Sequence, residues 1–306
     1  MTTEPRPRIS VVIPHLNQPE YLKDCLQSLA NGQLLADEIF VVDNGSRALP
    51  HEVCAAFPGV TLLTEATPGP GPARNRGVEA AIGDILAFID ADCLASPDWL
   101  WTAREAMADP GAQIMGGDVR IALSDPKRMT MVEAYEAIYA YRMDRYIARE
   151  GFTGTGNLVV RRSVLDRVGP FAGLDVAEDR DWGQRATRAG FSTRYVAKMK
   201  VYHPARPNFR DLVVKWERHS AHDYVSIQAR LGGRVVFLLK TLAMIPSPLA
   251  EIPRILASDR VSGLRNKVAA FVCLSRIRFR RAVIMFRLIA GTDPSVYSGA
   301  WNRAKP

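Results

Sequence analysis

GPARNRGVEAAIGDILAFIDADC, residues 71–93, sets a strand-like run, Asp84 to Ile89, between a helix-like segment and two aspartates. An apolar run that stops at a charged residue reads as a buried strand, and Arg74 to Ala81 ahead of it reads as a helix. The same alternation extends upstream. ISVVI (9–13) ends at Pro14, and Glu20 to Ala30 follows with Leu22, Leu26 and Leu29 at helical spacing; IFVV (39–42) runs into the turn DNGS (43–46), and Val60 to Leu63 is a further strand. Strand, helix, strand, helix, strand predicts an α/β fold with a Rossmann-like, mostly parallel sheet flanked by helices.

In an open sheet of this kind ligands collect beyond the carboxyl ends of the strands. The residues at those ends are Pro14-His15-Leu16-Asn17, Asp43-Asn44 and Asp90-Ala91-Asp92. The stretch PGPGPARNRG (68–77) reads as a loop whose glycines admit close backbone approach and whose Arg74 and Arg76 stand at the exit into a helix, which predicts a pyrophosphate site. Asp90 and Asp92 repel each other unless a cation sits between them, and a hard divalent ion on diphosphate oxygens answers that need. An aspartyl phosphatase also uses Asp-x-Asp after a strand, but near the first strand and with Thr or Val two residues beyond the second Asp; here that position is Leu94. A dinucleotide-dependent oxidoreductase is excluded because no Gly-x-Gly-x-x-Gly follows the first strand.

A second acidic group lies further on. GTGN (154–157) opens the run LVV, and seventeen residues after Arg161 comes Glu178-Asp179-Arg180-Asp181-Trp182, continuing with helical character to Gly190. Three acids in four residues exceed what helix capping needs.

Taken in order, ISVVIPHLNQPEYLKDCLQSL, VVDNGS, GPARNRGVEAAIGDILAFIDADC, GTGNLVVRRSVLDRVGPF and AEDRDWGQRATRAG resemble the family 2 glycosyltransferases of the GT-A fold over residues 8–205. The resemblance implies inverting transfer of a sugar from a nucleotide-diphosphate sugar, with uridine favoured as the base, to a glycan or lipid-linked acceptor hydroxyl in cell-surface polysaccharide or glycolipid assembly. It implies Mn2+ or Mg2+ as cofactor. Carried over by position, Pro14, Asn17, Asp43 and Asn44 line the nucleoside, and Arg74 stands near the pyrophosphate. Asp90, Ala91 and Asp92 form the Asp-x-Asp element, with Asp92 as direct metal ligand and Asp90 beside it. Asp179 matches the catalytic base and Glu178 assists; Gly156, Asn157, Asp181 and Trp182 fall on the acceptor side. His203, after a strand-like segment 194–202, stands where such enzymes complete the metal site, although a lone histidine is more often structural. Gln184-Arg185-Ala186-Thr187-Arg188 is followed by Ala189, not by the Trp of processive synthases, which points to single-sugar transfer. The competing reading is a non-catalytic nucleotide-sugar or partner-binding module that keeps the fold; intact Asp90, Asp92 and Asp179 argue against it.

The 306 residues, 47% hydrophobic and 24% charged, suffice for a large core and exclude a disordered or disulfide-stapled chain. Four cysteines without a Cys-x-x-Cys pair fit a reducing cytoplasm, and MTTEPRPRIS lacks the apolar stretch of a secretory leader. Expected domains are 1–205, with a nucleotide-binding half (1–100) and an acceptor half (101–205), and a basic, mainly helical extension over 206–306. Residues 201–306 hold 18 Lys and Arg against 6 Asp and Glu, a net +12, whereas the rest of the chain is −4. The basic part should face something anionic. Ala269 to Ala290, apolar but broken by Arg276, Arg278, Arg280, Arg281 and Arg287, reads either as an interfacial helix on the inner face of the membrane or as a packed helix meeting the catalytic domain or a second copy in a homo-oligomer. Val235 to Ile245 is too short to span a bilayer. Aromatic residues interleaved with basic ones are sparse, so nucleic acid is not expected as a partner.

Overall fold

The computed structural model describes residues 6–174, 176–228 and 232–298. In chain order the elements are β1 Ile9–His15, α1 Pro19–Ala30, β2 Glu38–Asp43, α2 His51–Ala55, β3 Val60–Thr64, α3 Pro70–Ala80, β4 Ile85–Ile89, β5 Leu94–Ala95, α4 Trp99–Met107 and β6 Ile114–Ala122. There follow α5 Met131–Tyr139, α6 Met143–Glu150, β7 Asn157–Arg161, α7 Arg162–Val168, α8 Glu178–Arg188, β8 Thr193–Pro204, α9 Phe209–Gln228, α10 Gly233–Met244, α11 Ser247–Ala250, α12 Ile252–Leu256, α13 Leu264–Ile289 and α14 Ser295–Ser298. They divide into two units, one of residues 1–122 and 141–204, the other of 123–140 and 205–306. Residues 123–140, placed by sequence in the acceptor half, thus group with the C-terminal helices.

The first unit is built on an eight-stranded sheet of order β3-β2-β1-β4-β7-β6-β8-β5. From β3 to β4 the strands are parallel, as the alternation of strands and helices predicts. Beyond β4 the sheet turns mixed: β7 runs antiparallel to both β4 and β6, β6 is parallel to β8, and β5 is antiparallel to β8. Period-two alternation divides the strand side chains between two cores. Val11, Ile13, Ile85, Ala87, Ile89 and Val159 pack with Leu22 and Leu26 of α1 and Trp99 of α4 on one face. Val12, Leu86, Phe88, Leu158 and Val160 pack with Ala73 and Val78 of α3, Val164 of α7 and Trp182 of α8 on the other. A strand buried on both sides has no polar position to spare, so polarity is displaced to the strand ends, and there the candidate site lies.

One local expectation is corrected. The stretch 68–77 is not a loop up to Gly77: α3 begins at Pro70, with Gly69 at φ +128. Proline suits the first helical turn, where its missing N–H costs nothing. Gly71 is required because a Cβ there would stand 1.9 Å from the Ala172 carbonyl oxygen; its close approach is to the chain's own backbone.

In the second unit α13 is the central helix, burying Ala270, Cys273, Leu274, Ile277, Ile284, Met285 and Leu288. Three of the five arginines that suggested an interfacial helix meet side chains of this unit: Arg276 lies over Phe209, Arg281 over Trp216, and Arg278 reaches Ser247 and Glu251. The other face of α13 stays exposed, with Val272, Phe279 and Phe286 beside Arg280 and Arg287. No helix among the described residues is long and apolar enough to cross a membrane.

Candidate active site

Asp43 ends β2 as a buried carboxylate with every nearby donor turned toward it. His15 Nδ1 donates to its Oδ2 (2.9 Å), and the Gly45 and Ser46 backbone N–H groups donate to Oδ1 (3.1 and 2.9 Å). Gln18 N–H donates to His15 Nε2 (3.1 Å), which leaves the ring proton on Nδ1. Burial works against the Asp43 charge, but the Ser46 and His15 hydrogen bonds outweigh it and hold the carboxyl below the usual range. Asn17, in the left-handed region at φ +53, accepts from Arg47 N–H. Asn44 donates to the Glu65 and Thr67 carbonyls and accepts from Gly69 N–H, tying this turn to the start of α3. Pro14 lies next to them in β1. Pro14, Asn17, Asp43 and Asn44 thus lie together at the ends of β1 and β2.

Arg74 is buried on α3, its side chain 3% exposed. Nη2 donates to Asp90 Oδ1 (2.6 Å) and Nη1 to Glu178 Oε1 (3.0 Å), while Nε has no partner among the described residues. Burial disfavours its charge, yet Asp90 and Glu178 more than compensate, and its pKa rises. Two of its five N–H donors go to carboxylates, and the guanidinium clamps the two acidic groups that the sequence sets 88 residues apart. Gly156 fits against the same clamp, since a Cβ there would stand 2.7 Å from Asp90 Oδ2. Asp179, one residue on, accepts from Arg180 N–H (2.7 Å). Burial first and Glu178 second push its pKa up, which makes its carboxylate a stronger base than an exposed aspartate.

Asp92 is half-buried. Burial raises its pKa, and Asp90 adds to the rise against the pull of His203. His203 Nε2 is 3.4 Å from Asp92 Oδ2 and 3.0 Å from the Tyr141 hydroxyl, while Nδ1 lies 2.7 Å from the Pro204 carbonyl. A carbonyl only accepts, so Nδ1 carries a proton, and Nε2 is the nitrogen turned toward the carboxylate and the hydroxyl. Ligand atoms of Asp90, Asp92 and Cys93 all lie within 4.8 Å of one another. The donor set suits a hard divalent cation through its oxygens. The Cys93 thiol, a soft donor, suits such an ion less, and burial with Asp90 and Asp92 nearby pushes its pKa up.

The family model described as "Glycosyl transferase family 2" matches residues 10–174, from the first strand to the segment before Glu178. The chain belongs to this family. Glycosyltransferase AglE of Haloferax volcanii is 32% identical over 280 residues, spanning 88% of this chain and 91% of that protein. Among solved structures, mannosyltransferase PcManGT from Pyrobaculum calidifontis, in complex with GDP-Man and Mn2+, shares 15% identity at a TM-score of 0.57, covering 94% of this chain and 88% of that one. S. aureus TarS, in complex with UDP-GlcNAc, shares 17% identity at a TM-score of 0.54, covering 97% and 93%. The sheet of this glycosyltransferase is thus a GT-A sheet.

The acceptor-side expectations divide. Asn157 is fully buried: its Oδ1 accepts from Trp99 Nε1 (2.8 Å), and its Nδ2 donates to the Asp118 and Met199 carbonyls (both 2.9 Å). With every polar atom used, it braces the sheet and touches no acceptor. Trp182 is likewise a core residue, its Nε1 donating to the Gly169 carbonyl (3.0 Å) and its ring packed on Phe171. Asp181 accepts from Arg185 Nε (2.8 Å), whose other nitrogens hold the Val168 and Pro170 carbonyls. Ala91 is a buried spacer between the two aspartates. Sequence reading of this glycosyltransferase missed Tyr141, whose ring also stacks on His203 at 4.6 Å between centroids. Its φ of +49 gives no sequence signal in a tyrosine.

Proposed function

We propose that this glycosyltransferase moves a single sugar, with inversion, from a nucleotide-diphosphate sugar to the hydroxyl of a glycan or lipid-linked acceptor, and that a UDP-sugar is the favoured donor. The observation that carries the reading is the Arg74 clamp, which holds Asp90 of one acidic group and Glu178 of the other on a single guanidinium. Asp90 and Asp92 would hold Mn2+ or Mg2+, with His203 Nε2 available as a further ligand. Such an ion supplies counter-charge to a leaving diphosphate. The chain's own residues do the rest. Asp43, Asn44 and the Asn17 turn shape the nucleoside end, and Asp179 takes the acceptor proton as the hydroxyl oxygen bonds to the anomeric carbon and the bond to the diphosphate breaks. That GT-A structures hold GDP-Man with Mn2+, or UDP-GlcNAc, supports the donor class. The +12 charge of residues 201–306 supports work at the inner face of the cell membrane, in cell-surface polysaccharide or glycolipid assembly.

Incubation with Mn2+, a panel of nucleotide sugars and sugar or lipid-phosphate acceptors, read as released nucleoside diphosphate, tests this. Release is expected with one donor, and it should fall to background in Asp179→Asn and on chelation. Release no greater than in the variant, for every donor and acceptor pair, would leave only a nucleotide-sugar binding module.

A further inference from the structure

Helix α10 buries one narrow stripe, Gly233, Phe237 and Thr241, spaced four apart. Its other apolar residues face outward: Val235 (61% exposed), Val236, Leu238, Leu239 (60%), Leu242 and, just past its end, Ile245. A solvated helix dresses its outer face with charge, but α10 offers only Arg234 and Lys240 there. So dense an exposed apolar surface marks a membrane or partner site.

Beside it, α9, α10 and α13 line a half-open cavity of about 340 Å³. Phe237 and Met244 contribute apolar wall, and Lys240, Arg278 and Arg281 contribute cations against Asp223 in the lining and Glu251, 3.7 Å from Arg278. Arg281 Nε is buried with no hydrogen-bond partner among the described residues. Its guanidinium lies 4.0 Å from the Trp216 ring centre, and the Lys215 ammonium lies 5.8 Å from the same centre. Burial first and neighbouring cations second lower Lys215 to about 8 and Arg281 to about 10. The cluster is short of negative charge.

We infer that α10 and this cavity form a docking site for an anionic phospholipid bilayer: the outward face of α10 inserts at the acyl boundary, and the cavity takes a lipid phosphate between Lys240, Arg278 and Arg281. The occupant follows from charge and shape together. Anionic head groups complement the basic excess, and acyl chains complement the apolar residues beside it. A second copy would set this positive region against its own kind, and free phosphate leaves the apolar face of α10 without a use. The inference stands apart from the choice of donor and acceptor and is read without turnover.

Flotation of the full chain with vesicles of phosphatidylglycerol and phosphatidylcholine in equal parts, against pure phosphatidylcholine, tests it. At least about tenfold more protein should bind the anionic vesicles, and the excess should shrink as salt rises. Leu238→Asp with Leu239→Asp, at two exposed positions, should cut binding at least about tenfold with an unchanged melting temperature. Lys240→Glu should weaken binding to anionic vesicles alone. Inorganic phosphate should release more protein than sodium chloride at matched ionic strength, because it competes for the cavity; equal release overturns the cavity as a phosphate site. Undiminished binding of the double variant overturns insertion of α10. Failure to bind vesicles, joined to a dimer in light scattering that the double variant dissolves, assigns the face to self-association and also overturns the proposal.

Discussion

The two units carry opposite surpluses of buried charge. In the first, Arg74 is matched by Asp90 and Glu178, and Asp43 is held by hydrogen bonds, so the remainder is negative and includes Asp92 and Asp179, where burial raises both pKa values. In the second, Arg206 is matched by Glu136, and the remainder is positive, at Lys215 and Arg281. Uncompensated charge in a low-dielectric setting costs free energy until a ligand of opposite sign arrives. On the readings proposed above, the sign of each surplus suits its ligand: a cation, and a hydroxyl about to lose a proton, for the first unit; an anion for the second.

The strongest way to break this comparison is Asp179→Asn. It removes the proton acceptor and nothing else, so turnover should fall by about 10²–10⁴ while the donor dissociation constant stays within about twofold. Steady-state kinetics beside calorimetric titration of donor reads both. The raised Asp179 pKa also places the acid limb of the wild-type kcat/KM profile above the ordinary aspartate value of about 3.9, with activity rising as pH rises through it. An acid limb at or below that value would remove Asp179 from the role.

Arg74→Met comes next. It leaves Asp90 and Glu178 facing each other without a cation and should cost about 2–3 kcal/mol in denaturant unfolding, less than a fully enclosed pair because Asp90 is partly solvated. A loss below about 0.5 kcal/mol would mean that the clamp does not hold the two acidic groups. Tyr141→Phe deletes the hydroxyl on His203 Nε2 and should raise the Mn2+ concentration for half-maximal activity by about three- to tenfold, with kcat at saturating metal unchanged. A change in kcat alone would show that Tyr141 acts elsewhere.

Lys215→Met probes the opposite surplus and carries the smallest effect. Because its folded pKa, about 8, lies below the unfolded value of about 10.4, the unfolded chain binds more protons between these two values, and stability rises with pH across that window. The variant should lose that slope and gain about 1 kcal/mol at pH 7. Urea unfolding at pH 7, 8, 9 and 10 measures it, and a destabilised variant with the slope intact would show that Lys215 is compensated.

How much of this was legible in the sequence follows the range of the forces involved. The strands around β1, β2 and β4 are short apolar runs stopped by polar residues, so local pattern suffices, and Asp43, Asp90 and Asp92 fall where it places them. The start of α3 was hidden because Pro70 and Gly71 carry loop composition whichever state they adopt; what decides is the Ala172 backbone about a hundred residues away. Asn157 and Trp182 sit in motifs and look functional, yet Trp99, Asp118, Met199 and Gly169 consume their polar atoms, which no local spacing foretells. The same holds for the basic tail. Arg276, Arg281 and Arg278 of α13 meet Phe209, Trp216 and Glu251, while Val235 to Ile245, too short to span a bilayer, buries Phe237 but turns most of its apolar side chains outward.

The division of labour between the two acidic groups is tested most directly by calorimetric titration of UDP in Mn2+ buffer into wild type, Asp92→Ala and Asp179→Asn. Asp92→Ala should bind at least about a hundredfold more weakly, since the diphosphate loses its counter-charge, and Asp179→Asn should bind like wild type. Equal loss of affinity in the two variants would contradict the account.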